Sequence, residues 1–133
     1  MNMLRLVHIS VSFAVFALAC PAGAENCSGP QTQADMDLCA GQEFIQADAG
    51  LNSTYKALLA KTTPSGQAGL RAAQRAWLDY RDKECAFETA GSAGGSIHPM
   101  VETECRTALT RQQTARLKAQ LDCQEGDFSC GGQ

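Results

Sequence analysis

The cysteines constrain this chain more than any other feature of its sequence. The 133 residues contain seven cysteines, and six of them follow residue 24. An even number of cysteines in a small exported domain indicates a framework of disulfide bonds, although many pairings of six cysteines are conceivable. The seventh, Cys20, falls inside the amino-terminal segment. The sequence therefore predicts a small domain whose fold is stapled by three disulfides.

The first 24 residues are typical of a secretory signal peptide. Arg5 is the single charged residue before Glu25, and it precedes an apolar run over residues 11–19. The run is followed by Ala-Gly-Ala at residues 22–24, which is a small-residue cleavage pattern. We expect residues 1–24 to be removed, leaving a periplasmic or secreted protein of the bacterial cell envelope without a transmembrane span.

Two alternatives for this segment remain. It could be an uncleaved membrane anchor, but the apolar run is too short for a helix to cross a hydrocarbon layer of about 30 Å. Cys20 could instead be lipidated. The preceding Ala17-Leu18-Ala19 matches poorly the Leu-Ala-Gly type of sequence that usually precedes a lipidated cysteine, so we disfavour a lipoprotein.

Charge and composition exclude several classes of protein. Hydrophobic residues make up 44% and charged residues 19% of the chain, which is a globular balance. The formal net charge is −3, whereas a dedicated nucleic-acid binder needs a basic face. The net negative charge is concentrated early, because residues 25–55 contain five acidic residues and no basic one.

Hydrophobic periodicity predicts an all-α domain, a compact bundle of three main helices. We expect helices at about residues 33–61, 67–90 and 99–122. Thr32 and Asp35 form a capping box at the first start, and Gly50 is a point where this helix could break. The expected apolar faces are Met36, Ala40, Phe44, Ala47, Leu51, Tyr55 and Leu58; then Leu70, Ala73, Ala76, Trp77 and Tyr80, flanked by Cys85 and Phe87; then Val101, Cys105, Ala108, Leu109, Leu117 and Leu121.

The second helix carries polar residues near its apolar face, among them Gln74, Arg81 and Glu88. We interpret Trp77, Tyr80, Arg81 and Glu88 mainly as a structural motif, in which the guanidinium stacks on an aromatic ring or pairs with Glu88 to hold two helices in register. A partner-binding surface is the alternative.

The expected disulfides are Cys27–Cys39, Cys85–Cys105 and Cys123–Cys130. The second would close a helical hairpin across a glycine-rich loop at residues 91–98. The domain then spans residues 25–123, and residues 124–133 form a polar tail that contains Cys130.

The sequence offers little for catalysis, a metal or a cofactor, and we expect none of the three. Zinc sites prefer cysteine pairs two to four residues apart, and thiol oxidoreductases need Cys-x-x-Cys; the residues after the leader contain neither spacing. His98 is the one histidine after residue 24. No acidic residue is evidently placed to orient it toward Ser92 or Ser96, so we interpret it as a loop or capping residue.

Four segments in this order resemble a known family. They are residues 32–40 (Thr-Gln-Ala-Asp-Met-Asp-Leu-Cys-Ala), residues 47–55, residues 73–85 (Ala-Gln-Arg-Ala-Trp-Leu-Asp-Tyr-Arg-Asp-Lys-Glu-Cys) and residues 94–100 (Gly-Gly-Ser-Ile-His-Pro-Met). Together they resemble the LprI-type lysozyme inhibitors, small exported bacterial proteins, over about residues 27–122. The resemblance implies an all-helical envelope domain that inhibits lysozyme.

On this basis we expect a protein–protein inhibitor of lysozyme or a related peptidoglycan hydrolase. The alternative is an envelope structural or interaction module that does not inhibit. The expected contact residues lie in the glycine-rich loop (Ser92, Ser96 and His98) and in the acidic first helix (Asp35 and Asp37), because many lysozymes are strongly basic and acidic surfaces are steered toward them. The sequence does not indicate an oligomeric state.

Overall fold

A computed structural model describes residues 26–124, 126–127 and 130. Within these residues the chain forms three long helices, α1 (Gln33–Lys61), α2 (Pro64–Glu88) and α3 (His98–Leu121), and no strand. Short 3-10 turns lie at Asn26–Ser28 and Ala90–Ser92. The predicted all-α architecture is confirmed, whereas the predicted signal peptide at residues 1–24 lies outside the described residues. None of the described helices combines the length and the apolarity that crossing a membrane requires.

Helix α1 has the bounds that its capping signals predict. The backbone N–H of Asp35 donates to the Thr32 hydroxyl, and the Asp35 carboxylate accepts from the Thr32 N–H, each over 3.1 Å. The helix continues through Gly50 without the break considered above. It ends at Lys61, because Thr62 has an extended backbone and donates its N–H to the Leu59 carbonyl.

Helix α2 begins three residues before the predicted start. Thr63 is its N-cap and accepts from the Gly66 N–H over 3.3 Å, and Pro64 takes the first helical position. Proline suits that position because its missing N–H has no partner there in any helix. The Pro-Ser-Gly run therefore initiates α2 rather than forming a loop, and only two residues separate α1 from α2.

Consecutive helices run antiparallel, so α1 and α3 are parallel to each other, and the α1–α3 contact is the most extensive. Its register is marked by Gln33 near Met100, by the Glu43–Arg111 ion pair at 3.0 Å and by Lys61, which donates to the Leu121 carbonyl over 3.3 Å. The centre of the hydrophobic core consists of three buried leucines, Leu51, Leu58 and Leu117. The partly buried residues packed against them are Tyr55, Leu70, Trp77 and Leu121.

The buried face of α2 differs from the predicted one. Ala73, Ala76 and Tyr80 are exposed, whereas the buried residues of this helix are Gln74, Arg81 and Cys85. Phe87, expected on the flank of the face, is 78% exposed. The helix is therefore rotated so that its polar residues point inward. The physical reason is that α1 supplies the Phe44 ring and α3 supplies the Thr110 hydroxyl for Arg81.

Helix α3 starts at His98, one residue before the predicted proline, and its interior is partly polar. Thr107, Thr110 and Leu117 are its buried residues, whereas Ala108, expected on the apolar face, is exposed. The Thr107 hydroxyl donates to the Thr103 carbonyl over 2.8 Å, so this buried hydroxyl is satisfied within the helix.

All three predicted disulfides are present. Cys27–Cys39 ties the amino-terminal 3-10 turn to α1, Cys85–Cys105 joins the end of α2 to the start of α3, and Cys123–Cys130 closes a short loop after α3. Cys85 is completely buried. The second disulfide therefore closes the base of the glycine-rich loop, as the sequence predicts.

Candidate functional site

The loop between α2 and α3 is held in one conformation by its backbone. After the turn Ala90–Ser92, the N–H of Gly95 donates to the Ser92 carbonyl over 2.9 Å, and the N–H of His98 donates to the Gly95 carbonyl over 3.2 Å. Gly94 has a φ of 78°, which side chains other than glycine rarely adopt. A Cβ at Gly95 would lie 3.1 Å from the Ser92 carbonyl oxygen. Glycine is thus required where the loop turns most tightly.

The His98 side chain holds this loop in place through contacts with Ser92 and Glu102. Its Nδ1 lies 2.9 Å from Ser92 Oγ, and its Nε2 lies 3.6 Å from a carboxylate oxygen of Glu102. Glu102 is in turn bound by Arg106 at 2.7 Å. Glu102 is an acidic partner of His98 that was not among the residues expected from the sequence, although the spacing of four residues on one helix places both side chains on the same face.

Serine, histidine and glutamate in this order resemble a hydrolytic triad, but the hydrogen bonds favour a structural role. The Ser92 hydroxyl donates its single proton to the Thr89 carbonyl over 2.8 Å. It therefore accepts from His98 Nδ1–H, so the imidazole faces the serine as a donor and not as the base that nucleophilic catalysis needs. The arrangement connects the start of the loop to the start of α3.

The outer part of the loop is exposed. Ser96 is exposed, and Ile97 is 45% exposed beside it. Phe87, in the last turn of α2 at the same end of the molecule, is the most exposed large hydrophobic residue in the part of the chain that the structure describes. Exposed aromatic and aliphatic side chains next to polar ones are typical of protein-binding surfaces.

The acidic start of α1 lies at the same end as the loop. Gln33 makes this connection, because its amide lies 3.9 Å from Met100 Sδ on α3 and donates to the Asp37 carboxylate over 2.9 Å. Asp35 is committed to the capping box, and hydrogen bonding by the Thr32 side chain, then by the Thr32 and Gln31 backbone, lowers the pKa of its carboxyl group. The structure thus places Asp35 and Asp37 at the same end of the bundle as Ser92, Ser96 and His98.

Arg81 lies at the middle of the bundle and contacts all three helices. Its guanidinium carbon is 5.4 Å from the Phe44 ring centroid of α1 and 5.3 Å from the Trp77 ring centroid of α2. Its Nη1 lies 3.4 Å from the Thr110 hydroxyl of α3, and its nearest carboxylate is that of Asp82 at 2.9 Å. The guanidinium thus lies over aromatic rings of two helices.

The other two motif residues do not join this cluster. Tyr80 is 50% exposed. Glu88 does not pair with Arg81, as one interpretation expected; its carboxylate lies 3.2 Å from the Cys105 sulfur of the disulfide. The guanidinium of Arg81 instead forms ion pairs with the carboxylates of Asp82, at 2.9 Å, and Asp48, at 4.0 Å.

The level of Phe44, Arg81 and Thr110 divides the described helices into two halves of opposite charge. On the loop side, residues 26–43 and 82–109, the acidic half, carry eight acidic and two basic side chains. On the far side, residues 44–81 and 110–124, the basic half, carry three acidic and eight basic side chains. The net charge of the chain is small, but its charges are strongly separated along the bundle. This separation can be derived from the sequence only when it is known that consecutive helices are antiparallel.

One group of side chains beyond α3 has the spacing of a metal site. Potential ligand atoms of Cys123, Asp127 and Cys130 lie within 4.8 Å of one another. The two sulfur atoms are bonded to each other, so neither is a thiolate, which is the form of cysteine that binds metals. The two cysteines therefore act as a covalent cross-link after α3 rather than as metal ligands.

Comparisons with known proteins place the chain in a family. The family model described as lysozyme inhibitor LprI matches residues 24–117. A protein of Rhizobium meliloti (strain 1021), named only as an uncharacterized protein, is 35% identical over 122 residues, which cover 79% of this chain and 88% of that relative. No solved structure matches the chain. The family match covers the three helices almost completely, and the chain belongs to the LprI lysozyme inhibitor family.

Proposed function

We propose that this chain is an exported protein that inhibits lysozyme or a related peptidoglycan hydrolase, and that it binds the enzyme with the acidic half. Family membership supports the inhibitory activity. The signal-peptide pattern of residues 1–24 supports export to the periplasm or beyond. We propose binding without catalysis, a metal or a cofactor, because Ser92 and His98 are engaged in holding the loop.

The separation of charge is the observation that carries this proposal. Many lysozymes are strongly basic, and an acidic surface accelerates and orients the encounter with a basic partner. The excess of six acidic over basic side chains on the loop side gives the bundle one end that such an enzyme favours. The opposite end carries an excess of five basic side chains and is disfavoured.

The rigidity of the loop supports its use as the contact element. Binding normally costs free energy for ordering loops and side chains, and a preorganised loop avoids much of that cost. Here the Cys85–Cys105 disulfide, the Ser92–His98 hydrogen bond and the backbone turns all act on the same eight residues, 91–98.

Roles within this surface follow from exposure. Ser96 is exposed and can donate a hydrogen bond to a carboxylate of the enzyme cleft, while its neighbour Ile97, and Phe87 at the same end of the bundle, offer apolar area. Asp37 contributes negative charge at the edge. Ser92 and His98 act as positioning residues, and Asp35 acts chiefly through the helix cap.

A lysis assay tests the proposal. Purified oxidised protein is added to a basic lysozyme acting on peptidoglycan, and the loss of turbidity is followed at low and high salt. We expect inhibition that weakens as salt rises, because exposed charges are screened beyond about 10 Å at 0.1 M salt. Ser96→Ala combined with Ile97→Ser should weaken inhibition, whereas Ser53→Ala, an exposed serine on α1 in the basic half, should not.

The alternative, an envelope module without inhibitory action, makes the opposite prediction. In that case the oxidised, folded protein leaves lysozymes of several classes fully active at every salt concentration. Inhibition that persists in the loop variant would keep the function but move the contact surface away from residues 91–98.

A further inference from the structure

A groove of about 460 Å³ lies between α1 and α2, away from the glycine-rich loop. It belongs to the basic half and sits where α2 stands apart from α1. The polar residues that line it are Asp48, Asn52 and Tyr55 from α1 and Arg71, Gln74 and Arg75 from α2. Leu51 and Leu78 supply apolar contacts.

Gln74 gives this groove an unsatisfied acceptor. The residue is only 8% exposed, and its side-chain oxygen Oε1 is buried without a hydrogen-bond partner in the described part of the protein. Buried polar atoms in folded proteins nearly always have a partner, so an exception of this kind calls for an explanation. Because Gln74 lines the groove, a rotation of its side chain amide would bring Oε1 to a bound molecule, whose N–H or O–H group would supply the missing donor.

The groove is also cationic. Arg75 is exposed and makes no hydrogen bond or ion pair with any residue that the structure describes, and Arg71 contacts only the neutral Gln67, over 3.3 Å. The one carboxylate of the groove, that of Asp48, accepts from Asn52 over 2.8 Å and lies 4.0 Å from Arg81. Two guanidinium groups therefore remain to bind an anion, and planar guanidinium suits a carboxylate.

We propose that the α1–α2 groove binds a small N-acylated carboxylate of the kind found at the carboxyl terminus of a peptide. The ligand's amide N–H donates to Gln74 Oε1, and its carboxylate accepts from Arg75 with support from Arg71. This ligand chemistry satisfies the buried acceptor and the unpaired cation together. The site is separate from the proposed lysozyme-binding surface, so either proposal can fail without the other.

The test is a titration of the isotope-labelled, oxidised protein with N-acetyl-alanyl-alanine, followed by chemical-shift changes. We expect saturable shifts in backbone amides of the groove. The methyl ester of the same dipeptide, which lacks the charge, should bind about tenfold more weakly, as should the dipeptide itself to Arg75→Gln. Arg116→Gln is the matched control, because it removes an exposed arginine of α3 that does not line the groove.

Gln74→Met examines the acceptor at nearly constant volume. We expect the dipeptide to bind about threefold more weakly or worse, while the melting temperature of the free protein is unchanged or rises, because the lost oxygen had no partner. The proposal is overturned by any of three results: no saturable shifts in the groove, equal binding of acid and ester, or undiminished binding to a Gln74→Met protein whose native spectrum shows that it is folded.

Discussion

The guanidinium of Arg81 lies over the indole ring of Trp77, with 5.3 Å between the guanidinium carbon and the ring centroid. Phe44 of α1 lies at a similar distance, and Thr110 of α3 accepts one of the N–H groups. Arg81 is 8% exposed, which is rare for a charged side chain. A single side chain thus fixes the rotation of α2 against the other two helices.

Replacing Arg81 tests this role. Arg81→Lys keeps the charge but loses the planar stacking and most of the hydrogen-bond geometry, so we expect a loss of about 1–3 kcal/mol in the free energy of unfolding. Urea denaturation measures it. The control Arg75→Lys, at an exposed position of the same helix, should change stability by less than about 0.5 kcal/mol. Equal effects of the two substitutions would refute the structural role of Arg81.

Removing the disulfide at the loop base should destabilise the protein. Cys85 and Cys105 are 20 residues apart, and closing a loop of that length is worth about 3 kcal/mol by chain entropy. We expect a loss of this size for Cys85→Ala with Cys105→Ala. The pair Cys123→Ala with Cys130→Ala serves as control and should cost less, because its separation is 7 residues and it follows the last helix. The reverse order in denaturation curves would contradict this view.

The capping box predicts a pH dependence. The pKa of Asp35 is lower in the folded protein than in the unfolded chain, because the carboxylate accepts hydrogen bonds at the start of α1. Its contribution to stability is therefore present above the unfolded pKa and is lost as the pH falls through the folded pKa. We expect Asp35→Asn to be less stable than the unmodified protein at pH 7 and to lose less stability on acidification to about pH 2.5.

The measurement is the free energy of unfolding at both pH values, with Ser53→Ala as control. Ser53 is an exposed residue of α1 that carries no ionisable group, so its replacement should leave the pH dependence as it is in the unmodified protein. A separate substitution, Thr32→Ala, should cost about 1 kcal/mol through loss of the N-cap. Parallel pH profiles for Asp35→Asn and the unmodified protein would contradict the assignment of this carboxylate to the cap.

The charge separation predicts unequal effects of equal changes in net charge. Asp37→Asn with Glu104→Gln removes two negative charges from the acidic half, and Asp79→Asn with Asp122→Asn removes two from the basic half. If lysozyme binds the acidic half, the first pair should lower the association rate constant about threefold to tenfold at low salt, and the second pair much less. The difference should vanish near 1 M salt, where the screening length is about 3 Å. Equal effects of the two pairs would contradict the claim that charge directs lysozyme to the acidic half.

Much of the fold could be predicted because its signals are local. Thr32 and Asp35 are three residues apart and define the start of α1 by themselves. The pairing of Cys85 with Cys105 follows from two helices joined by a short loop. The early start of α2 is also encoded locally, in Thr63 before Pro64, but the expected start at about residue 67 left these residues outside both helices.

The rest depended on contacts between helices. Apolar periodicity placed Tyr80 on the buried face of α2 and could not show that Phe44 and Thr110 make a buried site for Arg81 instead. The two charged halves have the same origin. Acidic residues near the start of α1 and near the loop are distant in sequence, and only the parallel packing of α1 against α3 brings them to one end.

Mapping the interface on the protein tests the central claim most directly. Isotope-labelled protein is titrated with unlabelled basic lysozyme, and backbone amide signals are followed. We predict that shifts or broadening concentrate on residues 91–98 and on the first turns of α1 and α3. Changes confined to the basic half, or none at concentrations that inhibit lysis, would contradict the claim that lysozyme binds the acidic half.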